Sequence, residues 1–161
     1  TIMENIRYGR LEATDDEVIE AAKLVNADSF ISELPGAYLY QVGESGNLLS
    51  TGQKQLIAFA RVVLANPRFL ILDEATASID TETEGLVQIA MNKALQGRTG
   101  IVVAHRLSTI RNVDRILMMY KGKVIESGSH SELMHHKGRY YKLYMNQFMQ
   151  ETADAELAKE A

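Results

Sequence analysis

The chain has 161 residues, of which 46% are hydrophobic and 24% are charged, and these fractions are typical of a globular domain rather than of a disordered or fibrous protein. The absence of cysteine excludes a disulfide scaffold, a cysteine-ligated metal site and a thiol nucleophile, and it fits a reducing compartment such as the cytosol. The net charge of −4 provides no positive field for a nucleic-acid backbone, so nucleic acid is not an expected partner. No apolar run approaches the length of about 20 residues that a membrane-spanning helix needs.

The first third of the sequence favours helices separated by short loops. Thr14 and Glu17 form a capping box, in which a hydroxyl and a carboxylate satisfy free backbone N–H groups at a helix start. A longer helix is predicted to begin near Ser50 and to end by Asn66, because Pro67 disfavours helical backbone in the residue before it. The other predictions for this part are a short helix over residues 29–34 and a loop or short extended segment over residues 38–47.

After residue 68, apolar strands alternate with amphipathic helices, and this order predicts an α/β fold with a parallel sheet. Four consecutive apolar residues end in Asp73 and Glu74, as in a strand that is covered on both faces. Ser129 and Glu132 form a second capping box, which opens a C-terminal helical region. Strands are predicted over residues 69–72, 99–104, 115–120 and 123–126, the last of these antiparallel at one edge, and helices over residues 81–95 and 108–112. The last 11 residues indicate a frayed helix or a solvated tail.

The acidic pair Asp73 and Glu74 is the first candidate site. Residues just past the carboxyl end of a buried parallel strand project into the crevice in which α/β folds bind ligands. An aspartate there can hold Mg²⁺ beside nucleotide phosphates, and a neighbouring glutamate can orient or deprotonate an attacking water. The structural alternative is that two exposed acids cap a turn.

Two further segments carry polar groups that suit phosphate. Ser50, Gly52 and Gln53 open a helix, whose free N–H groups and positive dipole end favour an anion; alternatively, Ser50 is only an N-cap and Gly52 only part of the preceding turn. His105 follows a predicted strand, as the acidic pair does. Because the carboxyl ends of parallel neighbours meet at one edge, His105 can share that site and donate a hydrogen bond to a phosphoryl group. Its structural alternative is a hydrogen-bonded histidine without a catalytic role.

Together, and in this order, the three segments resemble the later part of the nucleotide-binding domain of ATP-binding-cassette (ABC) exporters. The resemblance covers residues 1–148. Residues 47–53 (NLLSTGQ) are similar to the ABC signature, residues 69–74 to the Walker B strand with its catalytic glutamate, residues 78–80 to the D-loop, His105 to the switch histidine, residues 1–5 to the stretch after the Q-loop, and residues 42–46 (VGESG) to the X-loop that faces the membrane domain.

This resemblance implies a P-loop NTPase-like ABC ATPase fold, α/β and incomplete, with ATP and Mg²⁺ as cofactors. Asp73 would position Mg²⁺, Glu74 would polarise the attacking water, and His105 would contact the γ-phosphate. The implied organisation is a segment over residues 1–13, a helical subdomain over residues 14–66 with the X-loop and signature, a second part of the ATPase core over residues 67–150, and an acidic tail over residues 151–161.

The implied partners are a transmembrane domain and a second ABC ATPase domain, identical or different, arranged head to tail. Ser50, Gly52 and Gln53 would reach the nucleotide of the opposing domain, and Asp80 would lie between the two sites and couple them. Thr51 replaces a glycine that is commoner in this motif, and its β-branched side chain restricts the backbone at the helix start, so a weaker contact across the dimer is expected.

The sequence contains no phosphate-binding loop of the form GxxxxGK[ST], since Gly122-Lys123 is its only Gly-Lys pair and Val124 follows. In the family this loop precedes the stretch that residues 1–5 resemble. We therefore expect a part of a longer protein at the cytoplasmic face of the cell membrane. ATP binding depends mostly on the missing loop, so the chain alone is expected to bind ATP weakly, not to hydrolyse it, and to self-associate through uncovered apolar surface.

Two other function classes stay open on the sequence alone. One is an ABC ATPase of DNA maintenance or translation, and the other is an inactive interface module. The X-loop-like residues 42–46, the AHRLST segment and the run at residues 128–133 all resemble exporter domains rather than the first class. Intact Glu74 and His105 argue against the second class.

Overall fold

A computed structural model describes residues 1–73, 81–104, 109, 111 and 113–160. The chain divides into two compact units, Thr1–Val103 and Ala104–Ala161. Glu74, Asp80 and His105 lie outside the described residues, as do most residues of the helix predicted over 108–112.

The first unit combines helices with a small parallel sheet. Its helices are α1 (Ile2–Arg7), α2 (Asp15–Leu24), α3 (Ala27–Glu33), α4 (Thr51–Ala65) and α5 (Thr81–Leu95), its strands are β1 (Phe69–Asp73) and β2 (Thr99–Val103), and two short 3₁₀ turns cover Ala37–Leu39 and Glu44–Gly46. These bounds confirm the predicted helices at 81–95 and from Ser50 to Asn66. The helix predicted over 29–34 begins two residues earlier.

Local sequence signals set the ends of the helices in this unit. The capping box of Thr14 and Glu17 starts α2, with Thr14 accepting a hydrogen bond from the Glu17 N–H and the Glu17 carboxylate accepting one from the Thr14 N–H. At the C-terminal end of α4, Asn66 adopts a left-handed backbone with φ 49°, and Pro67 follows. An asparagine tolerates this conformation better than most residues, so the helix ends where the sequence predicts.

Helix α4 lies at the centre of the hydrophobic core of the first unit. It contacts α1, α2, α3 and α5, and its side chains Leu56, Phe59 and Ala60 are buried. The polar side chain of Arg61 ties it to α1: the guanidinium donates to the backbone oxygen of Asn5 and, at 2.7 Å, to Asn5 Oδ1. The core thus fixes α4 on several sides, which matters because α4 begins with the signature-like residues.

Strands β1 and β2 pair in parallel, with register partners running from Phe69 and Thr99 to Asp73 and Val103. Leu70 is 9% exposed, whereas Phe69 is 74% and Ile71 72% exposed. The expectation that this strand is covered on both faces is therefore wrong for the described chain. The physical reason is that, within residues 1–73 and 81–104, elements pack against only one face of the two-stranded sheet.

The second unit contains an antiparallel hairpin and two helices among its described residues. They are β3 (Ile116–Tyr120), β4 (Lys123–Gly128), α6 (His130–His136) and α7 (Arg139–Glu160). Lys121 and Gly122 both have positive φ, at 47° and 74°, as the turn of a two-residue hairpin requires. The predicted antiparallel pairing is confirmed, because β3 pairs with β4. The last residues continue α7 as helix.

Glu126 caps the start of α7 and gives the second unit an acid-sensitive contact. Its carboxylate accepts hydrogen bonds from the N–H groups of Tyr140, at 3.0 Å, and Arg139, at 2.5 Å. These bonds hold the pKa of Glu126 below its ordinary value of 4.5. Because the pKa is lower in the folded state, the stabilisation is present above the unfolded value and is lost as the pH falls through the folded value.

We therefore expect Glu126→Gln to lower the stability of the chain at pH 7 and to change it little at a pH below the folded pKa. Glutamine keeps an oxygen that can accept an N–H but removes the charge. Urea denaturation of both proteins across the acid range measures this, with the exposed Glu33→Gln as control. An equal loss at neutral and acid pH would contradict the role of the charge.

Candidate functional site

Asp73 lies at the carboxyl end of β1 and is exposed. Its register partner is Val103, the last residue of β2. The two chain segments that continue to Glu74 and to His105 therefore leave the sheet from the same edge, which confirms the parallel pairing on which the predicted site depends. The positions of Glu74 and His105 themselves stay predictions, because both residues lie outside the described part of the chain.

The donor set at this edge suits a metal that is shared with a ligand. Across residues 1–73, 81–104 and 113–160, no three histidine or acidic side chains form a group that could hold a metal ion. Mg²⁺ commonly takes one or two carboxylates from a protein and the rest of its ligands from water and substrate phosphates. The exposed carboxylate of Asp73 fits that mode of binding and does not fit an all-protein cage.

Ser50 and Gln53 form a second site at the start of α4, where they build a complete capping box. Ser50 Oγ accepts from the Gln53 N–H at 3.2 Å, and Gln53 Oε1 accepts from the Ser50 N–H at 3.0 Å. The structural alternative for Ser50 is thus correct as far as it goes, since the residue is an N-cap.

The capping box leaves the N–H groups of Thr51 and Gly52 free. The first N–H groups of a helix have no acceptor inside it, and no described residue accepts from these two. Thr51 is exposed and Gly52 is buried. Together with the positive end of the helix dipole, these groups can bind a phosphate oxygen that approaches from outside the chain.

The two candidate sites lie on different elements of the first unit. Ser50, Gly52 and Gln53 lie together at the start of α4, whereas Asp73 lies at the end of β1, and no hydrogen bond or ion pair between described residues joins them. Each site carries part of the groups that a nucleotide needs.

Sequence reasoning missed a cavity that lies beside the X-loop-like segment and α4. Its volume is about 390 Å³, and two cations on one face of α4, Lys54 and Arg61, contribute to its wall. The full lining consists of Asn5, Val42, Gly43, Gly46, Leu49, Lys54, Ile57 and Arg61. The spacing of two helical turns between the cations is the one signal in the sequence that indicated a shared face.

Residues 1–77 match a protein-family model described as ABC transporter. The chain is 55% identical over 151 residues to ABC transporter B family member 4 of Dictyostelium discoideum, a match that covers 94% of this chain and 20% of that protein. It is 52% identical over 159 residues to Multidrug resistance protein 1 of Entamoeba histolytica, which covers 97% of this chain and 12% of the relative. The chain thus spans a fifth or less of the length of these two relatives.

A solved structure of a bacterial Atm1-family ABC exporter with ATP bound is similar in both sequence and fold. The TM-score is 0.82 and the identity 44%, and the match covers 91% of this chain and 26% of the exporter chain. Among the helices that the structure describes here, none is long and apolar enough to cross a membrane.

Proposed function

Because the chain belongs to the ABC transporter family, we propose that it forms the later part of the nucleotide-binding domain of an exporter, in which ATP binding and hydrolysis drive solute export across a membrane. The observation that carries the proposal is the likeness to an ATP-bound exporter over 91% of the chain. It rests on both sequence and fold, and the family model covers residues 1–77, which include Ser50 and Asp73.

On the hydrolysis side, the proposal assigns one role to each residue. Asp73 positions Mg²⁺, which neutralises phosphate charge when it is bound. Glu74 orients and polarises the attacking water, and His105 contacts the γ-phosphate. The shared edge of β1 and β2 supports this assignment, because the chain segments that lead to Glu74 and to His105 begin there.

On the signature side, Ser50, Gly52 and Gln53 contact the nucleotide that a second ABC ATPase domain holds, in a head-to-tail dimer. The free N–H groups at the start of α4 support this assignment, as does their place on a different element from Asp73. Asp80 lies between the two sites and couples them.

The remaining parts of the proposal concern partners and location. Residues 42–46 face a transmembrane domain, and the nucleotide-binding domain works at the cytoplasmic face of the cell membrane. The phosphate-binding loop comes from outside these 161 residues, so the chain alone binds ATP weakly and does not hydrolyse it. The division into a helical subdomain over residues 14–66 and a core segment over residues 67–150 belongs to the same proposal.

A matched pair of cap variants tests the signature role. Ser50 and Ser129 make the same capping box, at the starts of α4 and α6. Ser50→Ala and Ser129→Ala should each lower the free energy of unfolding by about 0.5–2 kcal/mol. In the whole transporter, only Ser50→Ala should also reduce ATP turnover, by roughly tenfold or more, because a hydrogen bond to a charged group contributes about 1.5–3 kcal/mol.

Both effects are measured on the same two variants, by urea denaturation of the chain and by phosphate release from the transporter at saturating ATP. Equal turnover in the two variants would show that Ser50 acts only as an N-cap, and the signature role would then be withdrawn.

A further inference from the structure

The start of α4 packs so closely on the start of α5 that no side chain fits between them at Gly52. A Cβ atom built on Gly52 would overlap the methyl carbon of Thr83, lie 3.0 Å from Thr83 Cβ and lie 3.5 Å from Thr83 Oγ1. Gly52 is buried, and its φ is not one that requires glycine. Close approach, rather than backbone conformation, is therefore what glycine provides here.

Thr83 is poorly able to move away from this contact. It is the third residue of α5, and a β-branched side chain in a helix has few accessible χ1 rotamers. Farther along, α4 and α5 remain in contact, so the methyl group meets Gly52 between two helices that are already held together. The Thr83 side chain thus limits how near the first turn of α4 can lie to α5.

One of the two helix starts that meet here belongs to the signature-like segment, and the other follows the segment that resembles the D-loop; the proposed function gives these segments separate roles. The N–H groups of Thr51 and Gly52 belong to the signature-like start of α4. Helix α5 begins at Thr81, immediately after residues 78–80, which resemble the D-loop. A change in the spacing between Gly52 and Thr83 would shift the signature N–H groups relative to the first turn of α5.

We propose that Thr83 is a positioning residue, whose methyl group seats against Gly52 and sets the position of the signature helix relative to the helix that follows the D-loop. The proposal rests on the proposed function and adds a residue to it that does not touch the nucleotide. It explains why glycine stands at residue 52 by a contact within the chain, whereas close approach of a nucleotide would explain it by a contact from outside.

Second-site rescue in the chain itself separates these two explanations. Gly52→Ala should lower the midpoint of thermal unfolding, although alanine favours helix over glycine. Thr83→Ser, which removes the methyl and keeps the hydroxyl, should restore most of the loss in the double variant, whereas Thr83→Val, which keeps a methyl and removes the hydroxyl, should not. The control is Gly85→Ala in α5, where a Cβ would meet nothing within 4 Å and the midpoint should not fall.

The whole transporter provides the readout that a purely structural role would not move. Gly52→Ala should raise the KM for ATP and lower kcat, and Thr83→Ser should recover at least several-fold of the lost kcat/KM, while Thr83→Val recovers none. If Gly52→Ala alone leaves the unfolding midpoint unchanged, or if serine and valine rescue equally, the proposal is overturned.

The same experiment distinguishes a failure of the positioning role from a failure of the proposed function. If Ser50→Ala reduces ATP turnover but Thr83→Ser never restores kcat/KM to Gly52→Ala, the positioning role of Thr83 fails alone. If the chain shows the rescue but neither Ser50→Ala nor Gly52→Ala changes turnover, the signature function fails, and the positioning role that rests on it falls with it.

Discussion

Glu74→Gln should reduce ATP turnover of the whole transporter by about 10²–10⁴-fold and leave ATP binding nearly unchanged, because general acid–base catalysis contributes a factor of that size. Glutamine has nearly the same shape as glutamate, so it can occupy the same space beside the nucleotide. It has no negative charge with which to polarise the attacking water. The substitution therefore removes the chemical step without removing the site.

The measurement pairs phosphate release at saturating ATP with equilibrium binding of ATP to the same preparation. Glu12→Gln, a change at an exposed glutamate in the loop before α2, serves as the control and should leave both quantities as they are. Turnover within a few-fold of the unsubstituted transporter would remove Glu74 from the catalytic role. A parallel loss of binding and turnover would indicate damage to the site rather than to the chemical step.

Phe59→Ala should lower the free energy of unfolding of the chain by about 3–5 kcal/mol, which is the usual cost of deleting a buried aromatic ring. Phe59 is 3% exposed and lies in α4, the helix that contacts four other helices of the first unit. The loss combines the free energy of burying the ring, which is no longer gained, with the cost of the cavity that remains. Helix α4 also begins with the signature-like residues, so its packing supports the site as well as the fold.

Phe69→Ala is the matched control for this prediction, since the same atoms are removed from a ring that is 74% exposed. Its effect should lie within about 0.5 kcal/mol, as for most surface substitutions. Urea denaturation measures both variants, and an unchanged m-value shows that the transition is the same one. Similar losses in the two variants would mean that the core does not centre on α4.

Local signals made most of the helix and strand limits predictable. Ser50 and Gln53 cap α4 at one end, and Asn66 followed by Pro67 ends it at the other, because each signal acts within a few residues. The turn at Lys121-Gly122 fixed the hairpin of β3 and β4 in the same way. Such signals depend on hydrogen bonds that a short stretch of chain makes with itself.

Contacts between residues distant in sequence were not predictable. An apolar run indicates a buried strand, but it does not tell which of its faces the rest of the chain covers, and Phe69 and Ile71 proved exposed. The bonds of Arg61 to Asn5 and the approach of Gly52 to Thr83 depend on how helices pack, for which the sequence carries no local signal. The roles that the family resemblance implies for Glu74, Asp80 and His105 stay predictions.

The most direct test of the account uses two nucleotide-binding domains linked in one polypeptide, with Glu74→Gln and Ser50→Arg placed either in different domains or in the same one. In the proposed head-to-tail arrangement, each ATP would take Glu74 from one domain and Ser50 from the other. Placing the substitutions in different domains then concentrates both defects at one nucleotide and leaves the other site intact.

The measured quantity is ATP turnover of the two linked proteins. The protein with the substitutions in different domains should retain about half of the unsubstituted turnover, because one of its two sites is intact. The protein with both substitutions in one domain should retain almost none, since each site then carries a defect. The reverse order, with turnover retained only when both substitutions share a domain, would contradict the claim that one chain serves two nucleotides.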